Sequence, residues 1–122
     1  TAFDMDGDGD LDILTHPVNG PIMVFRNNSQ TPGIVFELRD MAGNRDGIGA
    51  VVKITDDAGN SQLREVQLGG GFMSYDAPGV HFGLGDERRI KSVEVRWASG
   101  AATVMSGAFE IGKSYLITRA AP

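Results

Sequence analysis

The sequence predicts an all-β fold, an antiparallel β-sandwich or small barrel, on three observations. Short runs of β-branched and aromatic residues recur along its 122 residues. Seventeen glycines, with Asn, Asp and Ser, punctuate those runs with turn chemistry. No window of 12 residues carries an apolar stripe at helical spacing with caps at its ends.

The elements follow in order. LDILTH (11–16) and IMVFRN (22–27) read as the first two strands. In IVFELRD (34–40), Ile34, Phe36 and Leu38 share one face against Val35, Glu37 and Arg39, the period of a half-buried strand. IGAVVKITD (48–56) sets Ala50, Val52 and Ile54 against Val51, Lys53 and Thr55. Asp57-Ala-Gly-Asn60 reads as a hairpin tip leading into LREVQLG (63–69). VHFGLG (80–85) follows, and residues 86–90 have the composition for a single turn of helix. KSVEVRW (91–97) alternates Val93, Val95 and Trp97 against Ser92, Glu94 and Arg96, and Ser99-Gly100 turns the chain. ATVMS (102–106) and SYLITR (114–119) complete the set. The polar stretch NNSQTPG (27–33) predicts a boundary between a unit at 1–30 and a β domain at 31–122, because two strands are too few for a core of their own.

Composition narrows the function classes. Hydrophobic residues make up 41%, and no apolar run approaches the ~20 residues that span a bilayer, so no membrane insertion is expected. No basic-then-apolar leader precedes the first residues, and the abrupt opening on TAFD reads as a piece of a longer chain. The net charge is -5, from 16 acids and 11 bases. Without Asp4, Asp6, Asp8, Asp10 and Asp12 the remainder balances at 11 against 11. The acidity is thus local and regularly spaced, which points to a cation, and no basic excess exists to bind nucleic acid. With no cysteine, thiol catalysis, disulfides and Cys-ligated zinc are excluded.

The local acidity sits in DMDGDGDLDIL (4–14). Calcium takes six to eight hard oxygens, often carboxylates around a tight turn, and Gly7 and Gly9 let the chain curl. The expected ligands are the side chains of Asp4, Asp6, Asp8 and Asp12 with the carbonyl of Asp10. The first half also fits the EF-hand pattern, but that pattern's bidentate Glu would fall at Thr15, and LDILTHP is strand-like where an EF-hand needs a helix. A loop that supplies most of its own ligands is expected to be a structural staple rather than a catalytic centre.

DMDGDGDLDIL, a strand and VFRNN together resemble one blade of an FG-GAP or VCBS-type repeat, the unit of calcium-loop β-propellers. That resemblance implies a partial propeller-blade hairpin at the N-terminus, with calcium on the same aspartates. NRDGIGAVVKI (44–54), Gln62, LREVQLGGGFMS (63–74), VHFGLG (80–85) and VEVRWASG (93–100) resemble, in order, the ASPIC/UnbV domain of the cartilage acidic protein family. The chain departs from that pattern at Gly47, Tyr75 and Ala98, where alanine, glutamine and proline are usual. The family supplies no catalytic residue. It implies a secreted or cell-surface protein with a binding or matrix role.

Other candidates have structural readings beside the functional ones. Gly69-Gly70-Gly71 could form an anion nest, but a bend between strands is the stronger reading. His81 lies in an apolar strand and is expected to be half-buried and satisfied. Trp97, Phe72 and Tyr75 could form a platform for sugar rings; Trp97 is in phase with the core, leaving Phe72 and Tyr75 as the exposed ligand candidates. Asp40, Asn44 and Asp46 could hold a second cation, although loops favour these residues for turns alone. Arg88, Arg89 and Lys91 form a short basic cluster, and Asn27-Asn28-Ser29 is a formal glycosylation sequon. With no nucleophile–base or paired-acid constellation, no enzyme is expected. The expected function is a non-catalytic, calcium-binding extracellular module for adhesion or recognition, with a protein or glycan partner. The alternative is a carbohydrate-binding module of a secreted polysaccharide-active protein.

Overall fold

The computed structural model describes residues 1–29, 31, 33–85 and 89–121. It is all-β, with ten strands and no helix among these residues: β1 (Ala2–Phe3), β2 (Asp12–Thr15), β3 (Met23–Phe25), β4 (Ile34–Asp40), β5 (Val51–Asp56), β6 (Ser61–Glu65), β7 (Gly79–Phe82), β8 (Ile90–Arg96), β9 (Ala102–Ser106) and β10 (Ser114–Arg119). The expected helical turn at 86–90 and Arg88 of the basic cluster fall mostly or wholly outside the described residues, as does Pro32 of the 27–33 stretch.

The strands form three sheets, ordered β1-β2-β3, β10-β4-β7 and β6-β5-β8-β9. The last two pack as a sandwich around one core. Ile34, Phe36 and Leu38 of β4, Val80 and Phe82 of β7 and Ile117 of β10 meet Val52 and Ile54 of β5 and Val93 and Val95 of β8. These are the alternating faces read from the sequence. Phe36 sits at the centre of an aromatic group, edge-on to Phe82 and Phe109 and stacked on Tyr115 at 5.8 Å between centroids. Trp97 is buried, and its indole N–H donates to Thr103 Oγ1 at 2.9 Å.

Turn chemistry sets the register. At the β5–β6 tip the Asp56 carboxylate accepts the Asn60 N–H at 2.7 Å, and Gly59 takes φ 90°. The expected strand at 48–56 starts three residues later. Gly47 and Gly49 adopt positive φ, and a Cβ on Gly47 would lie 2.7 Å from Leu38 Cβ, so this segment turns tightly beneath β4.

One pairing departs from the antiparallel expectation. β10 runs parallel to β4, from Ser114 opposite Val35 to Arg119 opposite Asp40. The chain leaves β4, builds the other sheet and returns alongside its starting strand, a connection that strand alternation does not encode. The pair is tied at its far end by Arg119, whose guanidinium donates to both Asp40 carboxylate oxygens. It also lies 5.2 Å from the Trp97 ring centroid.

The first sheet is small and lies outside this core. β2 pairs with β3 as the sequence suggested. β1 adds a two-residue strand, Ala2 opposite Ile13 and Phe3 opposite Asp12, too short to show any period in sequence.

Candidate metal centre

The aspartate loop connects β1 to β2. Asp4, just after β1, organises it: Oδ1 accepts the N–H groups of Gly7 at 2.8 Å and Asp8 at 3.2 Å, and Oδ2 that of Gly9 at 3.0 Å. Gly7 and Gly9 adopt φ 77° and 89°, the left-handed conformations that let the chain double back. The result brings Asp4, Asp6 and Asp8 together, with one carboxylate oxygen from each within 4.8 Å of the others. Two oxygens sharing a calcium at its usual bond length lie no more than about 5 Å apart, so this trio fits one such ion.

The other two aspartates occupy different positions. Asp12 is fully buried and accepts the N–H of Met5 through Oδ2 at 2.9 Å and of Asn27 through Oδ1 at 2.8 Å. Those bonds, the one from Asn27 first, hold its carboxyl below the usual aspartate range. Asp12 thereby fastens both ends of the loop-and-hairpin unit. Each of its oxygens retains a second lone pair. Asp10 is 4% exposed, and its Oδ1 has no hydrogen-bond partner. Burial, then the charge of Asp8, pushes its carboxyl up. A buried, unpartnered carboxylate oxygen beside further carboxylates is the environment a cation relieves. Arg26, after β3, supplies one positive group, pairing with Asp6 at 2.5 Å.

Backbone contacts join the loop to the sandwich. The Gly9 carbonyl accepts from the Gly33 N–H at 2.9 Å and lies 3.0 Å from His81 Nε2 in β7. Because a carbonyl only accepts, that bond places the imidazole proton on Nε2. His81 is thus half-buried and satisfied, as its strand context suggested. The Gly112 N–H donates in turn to the Gly33 carbonyl at 2.8 Å. A second attachment is made by Asp76, whose Oδ1 accepts from Thr1 Oγ1 at 2.8 Å and from the Ala2 N–H at 2.9 Å. Sequence reading missed this attachment. Asp76 stands in a loop with Pro78 and Gly79, where an aspartate reads as turn chemistry.

The remaining candidates separate. Phe72 and Tyr75 are 92% and 71% exposed on the loop between β6 and β7, while Trp97 is in the core, so the three form no common platform. Gly69 and Gly70 bend the chain at φ 106° and 142°. Asp40 is engaged by Arg119, Asp46 by Arg45, and Asn44 bonds both backbone groups of Ile48. These three therefore do not converge on a second cation. Arg89 and Lys91 are exposed on either side of buried Ile90. Asn27 Oδ1 accepts the Ser29 N–H at 3.0 Å.

A family model described as ASPIC and UnbV matches residues 40–121. The chain is 36% identical over 119 residues to cartilage acidic protein 1 of Mus musculus, an alignment covering 93% of this chain and 18% of that protein. It is 37% identical over 103 residues to cartilage acidic protein 1 of Homo sapiens, covering 80% and 15%. The chain thus spans less than a fifth of the length of these curated relatives.

Proposed function

We propose that this chain, which belongs to the ASPIC and UnbV family, is a non-catalytic, calcium-binding module of a secreted or cell-surface protein, serving adhesion or recognition. The observation that carries the reading is the convergence of Asp4, Asp6 and Asp8 oxygens within 4.8 Å, beside the buried, unpartnered Oδ1 of Asp10. Asp4, Asp6 and Asp8 would hold the ion, with Asp12 and the Asp10 carbonyl completing the oxygen set. Calcium there supplies charge neutralisation to a loop whose carboxylates otherwise repel. In this reading residues 1–30 are a partial FG-GAP/VCBS-type repeat set against the family domain at 31–122. The relatives' shared name, cartilage acidic protein 1, favours an extracellular setting.

Calorimetric titration with calcium tests the reading, paired with melting curves in calcium and in EDTA. Binding that disappears in Asp6→Ala, with a lower melting temperature in EDTA, supports it. No heat of binding and superimposable melts would sink it.

A carbohydrate-binding role is the second reading, favoured by the exposure of Phe72 and Tyr75. A glycan array probed with and without calcium decides: signal lost in Tyr75→Ala supports the role, and no signal in either condition removes it.

A further inference from the structure

The contact between loop and sandwich is built from backbone at its closest point. Gly9 lies in sequence between Asp8 and Asp10, and its carbonyl accepts from both Gly33 and His81. A Cβ on Gly9 would stand 2.5 Å from Gly112 Cα and 3.1 Å from the Gly33 carbonyl oxygen. A Cβ on Gly33 would stand 2.3 Å from His81 Nε2 and 2.5 Å from the Phe82 carbonyl oxygen. Gly9 and Gly33 therefore meet Gly112 and the His81 imidazole with no room for a side chain on either of the two, and the chain between two proposed ligands is the piece that fits. The second attachment, Asp76 to Thr1 and Ala2, holds β1, which leads directly into Asp4. A cleft of about 450 Å³ is lined by residues of both attachments, Ala2, Asp76 and His81, together with Phe3, Asp4 and Arg64.

We propose that calcium in the aspartate loop acts as a lock on this junction: the ion fixes the loop path that seats Gly9 against Gly33, Gly112 and His81, and so sets the geometry of the cleft that both attachments line. The inference rests on the calcium reading above and goes beyond it, because an ion could stabilise its own loop without touching the junction. The loop has its own internal bonds through Asp4 and Asp12. Without the ion, mutual repulsion of Asp4, Asp6 and Asp8 would spread it and draw Gly9 out of its seat. Coupling of this kind is reciprocal: if the ion seats the junction, a weakened junction must weaken the ion.

Two measurements on the same protein test this. Amide exchange is followed at Gly33 and Gly112 in calcium and in EDTA, with Val52 and Val95 of the core as internal references. The lock predicts that calcium slows exchange at Gly33 and Gly112 at least tenfold while the core references hold. Calcium affinity is then measured for His81→Ala and His81→Gln. The alanine variant should bind at least about fivefold more weakly, and the glutamine variant, whose amide can still donate to the Gly9 carbonyl, should recover part of the loss. Calcium that binds the wild type with equal exchange at Gly33 and Gly112 in both buffers overturns the lock and leaves the calcium reading standing. An absence of calcium binding overturns both. Should His81→Ala fail to fold, the wild-type exchange data decide alone.

Discussion

The two ends of this small protein are stabilised by opposite chemistry. From Ile34 onward, fifteen hydrophobic residues among those described are buried in one core, Trp97, Phe36 and Phe82 the largest of them. In residues 1–29 the buried side chains are carboxylates, those of Asp10 and Asp12. Ile13, Met23, Val24 and Phe25 of the first sheet are all exposed. A three-stranded sheet with so little buried apolar surface has almost no hydrophobic driving force of its own. It is held instead by hydrogen bonds to Asp4, Asp12 and Asp76 and by the glycine junction. One region depends chiefly on apolar contacts, which chelators do not touch. The other depends on charges that ions and protons can reach.

The largest break in this comparison should come from the core. Trp97→Ala should cost about 3–5 kcal/mol, read as a lower denaturant midpoint by fluorescence-independent circular dichroism. A loss under 1 kcal/mol would mean that the core is not organised around the indole. Next comes removal of the ion. Calcium at one hundred times its dissociation constant stabilises by about 2.7 kcal/mol, and EDTA should withdraw that amount without altering the intrinsic stability of the sandwich. Equal protection of first-sheet and core amides in EDTA would contradict the division.

A smaller, pH-dependent effect arises within the sandwich itself, at the Asp40–Arg119 pair. The Arg119 hydrogen bonds, and then the Ala42 N–H, hold the Asp40 carboxyl below its ordinary range. A depressed carboxyl stabilises the fold above the range in which unfolded aspartates titrate. That contribution is lost as pH falls from about 4 through the folded value. The melting temperature of the sandwich should therefore drop in acid, and Asp40→Asn should flatten that slope while lowering the plateau at neutral pH. An unchanged slope would remove Asp40 from the account. The smallest effect is expected at the exposed loop: Phe72→Ser should change stability by less than ~0.5 kcal/mol. A larger loss in thermal melts would show that Phe72 packs against something in solution.

Legibility from sequence followed the same division. The alternation of β4 and β8 reveals their buried faces because each strand covers the core with one side, and that rule is local. Trp97 was readable for the same reason, being in phase with Val93 and Val95, and His81 because it alternates with the buried Val80 and Phe82. The parallel pairing of β10 with β4 was not, because alternation says which face is buried and nothing about which strand lies alongside. β1 escaped notice because two residues carry no period. In the aspartate loop, the spacing of Asp4, Asp6 and Asp8 foretold their convergence. It could not foretell that both oxygens of Asp12 cap backbone N–H groups, since those donors come from Met5 and from Asn27, fifteen residues away. Gly9 and Gly33 each read as turn residues. Only their meeting in space with Gly112 and His81 shows that a bare backbone is required at both.

The parallel pair also carries a consequence for how the protein is made. β4 is the central strand of its sheet, with β7 on one side and β10 on the other. During synthesis β4 leaves the ribosome early, yet the strand that covers its second edge is the last of the ten to appear. Until residues 114–119 emerge, β4 shows an open edge of unpaired backbone groups, the kind that captures other strands. The nascent domain must therefore wait, partly zipped, for its final strand, and closing so long a loop is slow. A messenger truncated a few codons before Ser114 would release a chain with that edge permanently open, a substrate for chaperones and proteases rather than a slightly weakened fold.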